Sequence, residues 1–88
     1  MNSRPKELTF PREWEFRLFV SGEKAESVRA ELLKLDASER AGLTIRSGES
    51  SSGGKFVTIR VFCTVPSLER ARELAARMGG FPGVKFMV

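Results

Sequence analysis

Gly48 to Val65 reads GESSSGGKFVTIRVFCTV. A Gly/Ser-rich stretch runs directly into a long β-branched and aromatic segment. That composition predicts a loop over 48–54 followed by a strand over Lys55–Val65. Pro66 ends the strand, because proline cannot donate to the ladder. Ser67 is then placed to cap a helix reaching Met78, with Glu69 in its positive first turn. Leu68, Ala71, Ala75 and Met78 form the apolar stripe of that helix. Gly79, Gly80 and Pro82 stop it, and Val84–Val88 reads as a short final strand.

The upstream half completes the pattern. Trp14, Phe16, Leu18 and Val20 alternate with Glu15, Arg17, Phe19 and Ser21, which predicts a half-buried strand over Trp14–Ser21. Gly22 breaks it. Ala25, Val28, Leu32 and Leu35 make one stripe of a helix over Lys24–Leu35. Its last turns extend through Asp36–Ala41, and Gly42 is suited to end it. Leu43–Ser47 is a short second strand. The order is β-α-β-β-α-β, the ferredoxin-like split βαβ arrangement of the α+β class. It implies a four-stranded antiparallel sheet in the order 4-1-3-2 with two helices on one face. Both helical crossovers are then right-handed.

Eighty-eight residues suffice for one domain. Such a chain buries roughly 60–65% of its unfolded surface, so a single modest core is expected. The chain is 41% apolar and 30% charged, values of an ordinary globular domain. Residues 1–12 contain Pro5, Pro11 and four charges, and are expected to form a loosely ordered arm ahead of a domain over 13–88. They lack the apolar run of a secretory signal, and no stretch approaches a membrane span, so the expected compartment is the cytoplasm. Cys63 is the one cysteine, which agrees with a reducing compartment.

There is no histidine, so the commonest general base and the commonest metal ligand are missing. Neither a metal site nor a cofactor is expected. By alternation Cys63 lies in the core, an inert thiol rather than a nucleophile. Glu23, Glu26, Glu31, Glu69 and Glu73 fall on helices, off the apolar stripes, and read as solvated faces. The 48–55 stretch is not a phosphate loop. Gly48 and Gly53 fit the spacing, but Gly54 stands where lysine is required, and a strand follows instead of a helix. Acylphosphatases of this fold use an asparagine, and the only one here is Asn2. These points together favour a protein that is not an enzyme.

The two sheet faces carry the functional expectations. Alternation assigns Val57, Ile59, Val61, Cys63 and Val65 to the helix-covered face, with Phe16, Leu18, Val20, Leu43, Ile45, Val84, Phe86 and Val88. The opposite face then bears Arg17, Phe19, Arg46, Thr58, Arg60, Phe62, Thr64, Lys85 and Met87. Two aromatics among four cations suit either a protein interface or single-stranded RNA, with bases on the rings and phosphates on the cations. The RNA-recognition motif is met only at Lys55 and Phe62, since Val57 and Ile59 replace its central aromatics. A protein partner or a second copy therefore outweighs RNA. The net charge of +4 is a mild pull toward anions.

Three segments resemble the YbeD-like bacterial proteins, a small family of unassigned function. They are Phe16-Arg17-Leu18-Phe19-Val20-Ser21-Gly22; Arg46-Ser47 with Ser51-Ser52-Gly53-Gly54-Lys55-Phe56-Val57-Thr58; and Leu68–Met78 with Pro82-Gly83-Val84-Lys85. Phe56 and Thr58 stand where that family commonly has tyrosine and serine, and the 48–54 loop is slightly longer. The resemblance implies a domain similar to ACT-type regulatory modules, which bind small metabolites at interfaces between paired domains. It brings no catalytic residues. Ser47, Ser51, Ser52, Gly53, Gly54 and Lys55, beside the uncovered face, are the expected ligand-binding set. Arg17, Phe19, Arg46, Arg60, Phe62 and Lys85 are the expected interface or RNA-binding set.

Overall fold

The computed structural model of the protein describes residues 9–50, 53 and 55–88, with Glu49 through its backbone alone. Four strands and two helices follow one another as β1 (Arg12–Ser21), α1 (Ala25–Glu39), β2 (Thr44–Ser50), β3 (Phe56–Val65), α2 (Leu68–Gly79) and β4 (Val84–Met87). A 3-10 turn, Gly22–Lys24, leads into α1. The sheet is antiparallel in the order β2-β3-β1-β4, the ferredoxin-like arrangement. β1 and β3 are central and pair over their full lengths, from Arg12 opposite Val65 to Ser21 opposite Phe56.

The core lies between the helices and one sheet face. Phe16, Leu18 and Val20 of β1 meet Ile59, Val61, Cys63 and Val65 of β3 there. Val28, Leu32 and Leu35 of α1 cover them, with Ala71, Leu74 and Met78 of α2. Leu74, 1% exposed, is a core residue that the expected α2 stripe passes over. Ala75, placed in that stripe, is only partly buried at its edge. The burial follows from a helical repeat of 3.6, which puts 71, 74 and 78 on one line.

Local chemistry sets the helix ends. Ser67 caps α2, its Oγ accepting from the Arg70 N–H at 3.1 Å. α1 ends not at Gly42 but at Arg40, which takes the left-handed conformation with φ 51°. Asp36 makes that possible. Its carbonyl accepts from the Arg40 and Ala41 N–H groups. Its Oδ1 accepts from the N–H groups of Gly42 at 2.9 Å and Leu43 at 3.0 Å. One aspartate thus accepts from four successive backbone N–H groups of the α1–β2 turn.

Two strand expectations change. β2 runs on to Ser50, so Gly48 is a strand residue and not the start of a loop. The larger change is in β4. Leu18 pairs with Met87 and Phe19 with Phe86, but Val20 pairs with Val84, leaving Lys85 as an extra residue. Such a bulge shifts the side-chain alternation by one position. Phe86 was expected under the helices and Met87 on the open face; the bulge exchanges them. Met87 packs against the core, while Phe86 is 60% exposed and stacks on Phe19. Val88, also expected in the core, is 74% exposed.

Candidate binding face of the sheet

No helix among the described residues covers the second face, and cross-strand pairing arranges its residues in rows. Arg46, Arg60 and Arg17 lie opposite one another across β2, β3 and β1. Strands stand about 4.8 Å apart, so this row sets three guanidinium-bearing residues side by side. Thr44, Phe62 and Glu15 form the row on one side of it. Thr58, Phe19 and Phe86 form the row on the other.

Like charges directly opposite are unfavourable, and the structure compensates two of the three. Glu15 Oε2 accepts from Arg60 Nε at 2.7 Å and from Arg17 Nε at 3.1 Å. These bonds, Arg60 first, hold the Glu15 carboxyl below the usual glutamate range, and Glu15 in turn raises Arg60. Arg46 is exposed and has no ion-pair partner among the described residues. The Arg60 guanidinium also sits over the Phe62 ring, 5.2 Å from its centroid. Phe19 and Phe86 stack with centroids 4.5 Å apart and planes 17° apart.

An open hollow of about 340 Å³ is bounded by Arg17, Arg60, Phe19, Thr58 and Gly48. Gly48 lies at its rim, where the β2–β3 register shifts between Ser47 and Ser50. A Cβ there would stand 3.0 Å from both the Thr58 Cβ and its carbonyl oxygen.

The residues expected to bind ligand separate in the fold. The Ser47 side chain pairs with Arg29 of α1, whose Nη2 donates to its Oγ. Ser47 lies opposite Ile59, on the helix side of the sheet. Lys55 and Gly53 line a different open hollow, with Ser21, Glu23, Phe56 and Lys85. Ser51, Ser52 and Gly54 lie outside the described residues. Among the expected interface set, Arg17, Phe19, Arg46, Arg60 and Phe62 share the open face, while Lys85 stands at the bulge beside the Lys55 hollow.

Thr44, Glu15, Gly48 and Phe86 are among the residues of the face that were not foreseen. Glu15 shares the parity of Arg17 and Phe19, so alternation alone contained that signal. Gly48 looked like loop, and Phe86 was hidden by the bulge. Elsewhere, burial pushes the Cys63 thiol up, against a smaller lowering by Arg70. No cluster of three or more metal-ligating side chains occurs among the described residues. No helix among them is long and apolar enough to cross a membrane.

A family model described as protein of unknown function (DUF493), which is the YbeD family, matches residues 5–88. The chain belongs to the YbeD family. No curated protein matches it significantly. This YbeD-family chain is similar in structure to HP0495 from Helicobacter pylori, known from solution structures. One has a TM-score of 0.75 at 19% identity and covers all of this chain and 94% of that one. The other, called hypothetical, has a TM-score of 0.68 at 16% identity over 97% of this chain and 100% of that one. The C-terminal domain of the MgtC protein from Mycobacterium tuberculosis matches with a TM-score of 0.67 at 20% identity. It covers 93% of this chain and 88% of that domain. At these identities the likeness is one of fold.

Proposed function

We propose that this YbeD-family chain is a non-catalytic binding domain, regulatory in the sense of the ACT-type modules, and that it receives an anionic partner on its open sheet face. The observation that carries this is the Arg46–Arg60–Arg17 row on an uncovered sheet, flanked by aromatic side chains. Its chemistry suits binding more than group transfer. A guanidinium stays protonated and serves as a fixed fork of donors. Glu15 is kept ionised by two of them, so it is poorly suited to exchange a proton near neutral pH. The Cys63 thiol is buried beneath the opposite face. Cytoplasmic residence, and pairing with a second copy as ACT-type modules pair, belong to the same proposal.

Single-stranded RNA is the second reading, and the bulge strengthens it. Phe86 joins Phe19 and Phe62 on the face, an aromatic that alternation did not count there. Amide spectra of labelled protein, recorded with a pool of short single-stranded RNAs and a pool of small metabolite anions, separate the readings. Small anions are expected to shift Arg17, Phe19, Arg60 and Phe62. If RNA alone shifts them, with affinity falling steeply as salt rises, the RNA reading replaces the first. Shifts confined to the helices would overturn both.

A further inference from the structure

We propose that the hollow between Arg17, Arg60, Phe19, Thr58 and Gly48 is a subsite for one oxyanion, phosphate or carboxylate, of a small ligand whose flat part lies along the Phe19–Phe86 stack. The proposal rests on the reading that the open face binds anions, and adds where the ligand sits and what chemistry it presents.

Four observations converge. First, Arg17 and Arg60 are directly opposite each other and both bound the hollow. A single carboxylate oxygen, Glu15 Oε2, fixes both through their Nε atoms. That leaves the Nη groups of both forks without another side-chain acceptor among the described residues. Two guanidiniums with donors to spare, on residues that both line one hollow, suit the oxygens of a phosphate or carboxylate. Second, one carboxylate faces two guanidiniums, and Arg46 continues the row, so the local charge remains positive. Third, Gly48 interrupts a strand where any side chain would press on Thr58 at 3.0 Å. The β2–β3 register shifts there, between Ser47 and Ser50, so the rim of the hollow at this bulge carries no side chain. Fourth, Phe19 forms one wall and continues into Phe86, giving an apolar surface beside the polar one. The size, about 340 Å³, lies at the small end of ligand pockets and suits a compact molecule.

The test uses labelled full-length protein and three probes: inorganic phosphate, phenyl phosphate and benzoate. Saturable amide shifts at Arg17, Gly48, Thr58 and Arg60 are expected with at least one of them. Phenyl phosphate should bind more tightly than inorganic phosphate. Stronger binding of benzoate than of phenyl phosphate would assign the oxyanion as a carboxylate, and the reverse as a phosphate. Arg60→Gln and Arg46→Gln remove the same charge from the same row, but only Arg60 bounds the hollow. Arg60→Gln should weaken binding about tenfold or more, as expected for loss of a charge-assisted donor, and Arg46→Gln much less. Phe86→Ala should bring phenyl phosphate down to the affinity of inorganic phosphate. A dispersed amide spectrum of each variant establishes that it is folded. Equal weakening by the two arginine variants would mean a diffuse field and would overturn the subsite. So would shifts from RNA across Arg46, Phe62 and Phe86 with none from the three probes, although the open face would then still be a binding surface. No shift there with any probe or with RNA would overturn both proposals.

Discussion

A Cβ on Gly83 would land 2.4 Å from the Cβ of Lys24 and 2.9 Å from its Cγ. Gly83 also has φ 102°, a conformation that side chains rarely adopt. The close approach has a structural purpose. The Gly83 carbonyl accepts from the Ser21 N–H at 2.9 Å, fastening the start of β4 to the end of β1 just where α1 begins. Lys24 Cβ lies near the backbone and cannot swing aside as a side-chain tip would. Gly83→Ala is therefore expected to destabilise the fold by about 2 kcal/mol or more, from backbone strain and the clash together. Chemical denaturation checks it: the midpoint should fall while the slope stays unchanged. Equal midpoints for variant and parent would mean that β4 and the 3-10 turn can separate at no cost. Gly79 provides the contrast, since a Cβ there meets only the flexible Met87 sulfur at 3.5 Å.

Among the elements, β4 shows where the sequence stops being readable. The four strands, both helices, their order and the Ser67 cap follow from hydrophobic period and turn chemistry, because those signals are local. Arg17, Phe19, Arg60 and Phe62 were placed on the open face for the same reason: β1 and β3 pair without a break. In β4 the alternation of Val84, Lys85, Phe86, Met87 and Val88 reads equally well with or without an extra residue. Which reading holds is decided by pairing with β1, a long-range contact that no local window contains. Gly48 was misread in the same way, since only pairing with β3 shows that β2 continues through it. The bulge makes a prediction that plain alternation contradicts. Deleting Lys85 should leave Val84 opposite Val20, Phe86 opposite Phe19 and Met87 opposite Leu18, now in a regular ladder. Stability should change by no more than about 1 kcal/mol, and ring contacts between Phe19 and Phe86 should persist in NOE spectra. Had Phe86 been a core residue, the deletion would turn it out of the core and cost about 3–5 kcal/mol. A loss of that size, with no Phe19–Phe86 contact in the parent protein, would remove the bulge and take Phe86 off the open face together.

Across the whole molecule, charge is organised around two carboxylates on opposite sides of the sheet. Glu15 gathers Arg60 and Arg17 on the open face. On the helix side, Glu39 at the end of α1 accepts from Arg77 at 2.8 Å and pairs with Arg70 at 3.1 Å, tying α1 to α2. Hydrogen bonds from Arg77 and then Arg70 hold Glu39 below the usual glutamate range, as those from Arg60 and then Arg17 hold Glu15. In the unfolded chain both groups return to the ordinary value. Above that value they are ionised in both states, and the contribution of the pairs is fully present. As pH falls below it, the unfolded chain takes up protons that the folded chain does not, and stability drops. The contribution is gone once pH passes below the depressed folded value. Glu15 and Glu39 side chains are 28% and 24% exposed, so water and salt reach them and each effect is modest. Denaturation midpoints measured from about pH 7 to about pH 3 for the parent, Glu15→Gln and Glu39→Gln test this. Both variants should be less stable than the parent near neutrality and should converge on it in acid, where the parent has lost the same interaction. Added salt should narrow the gap near neutrality. Curves that stay parallel down to the acid limit would show that the amides destabilise through packing alone, and that neither arginine pair contributes through its charge.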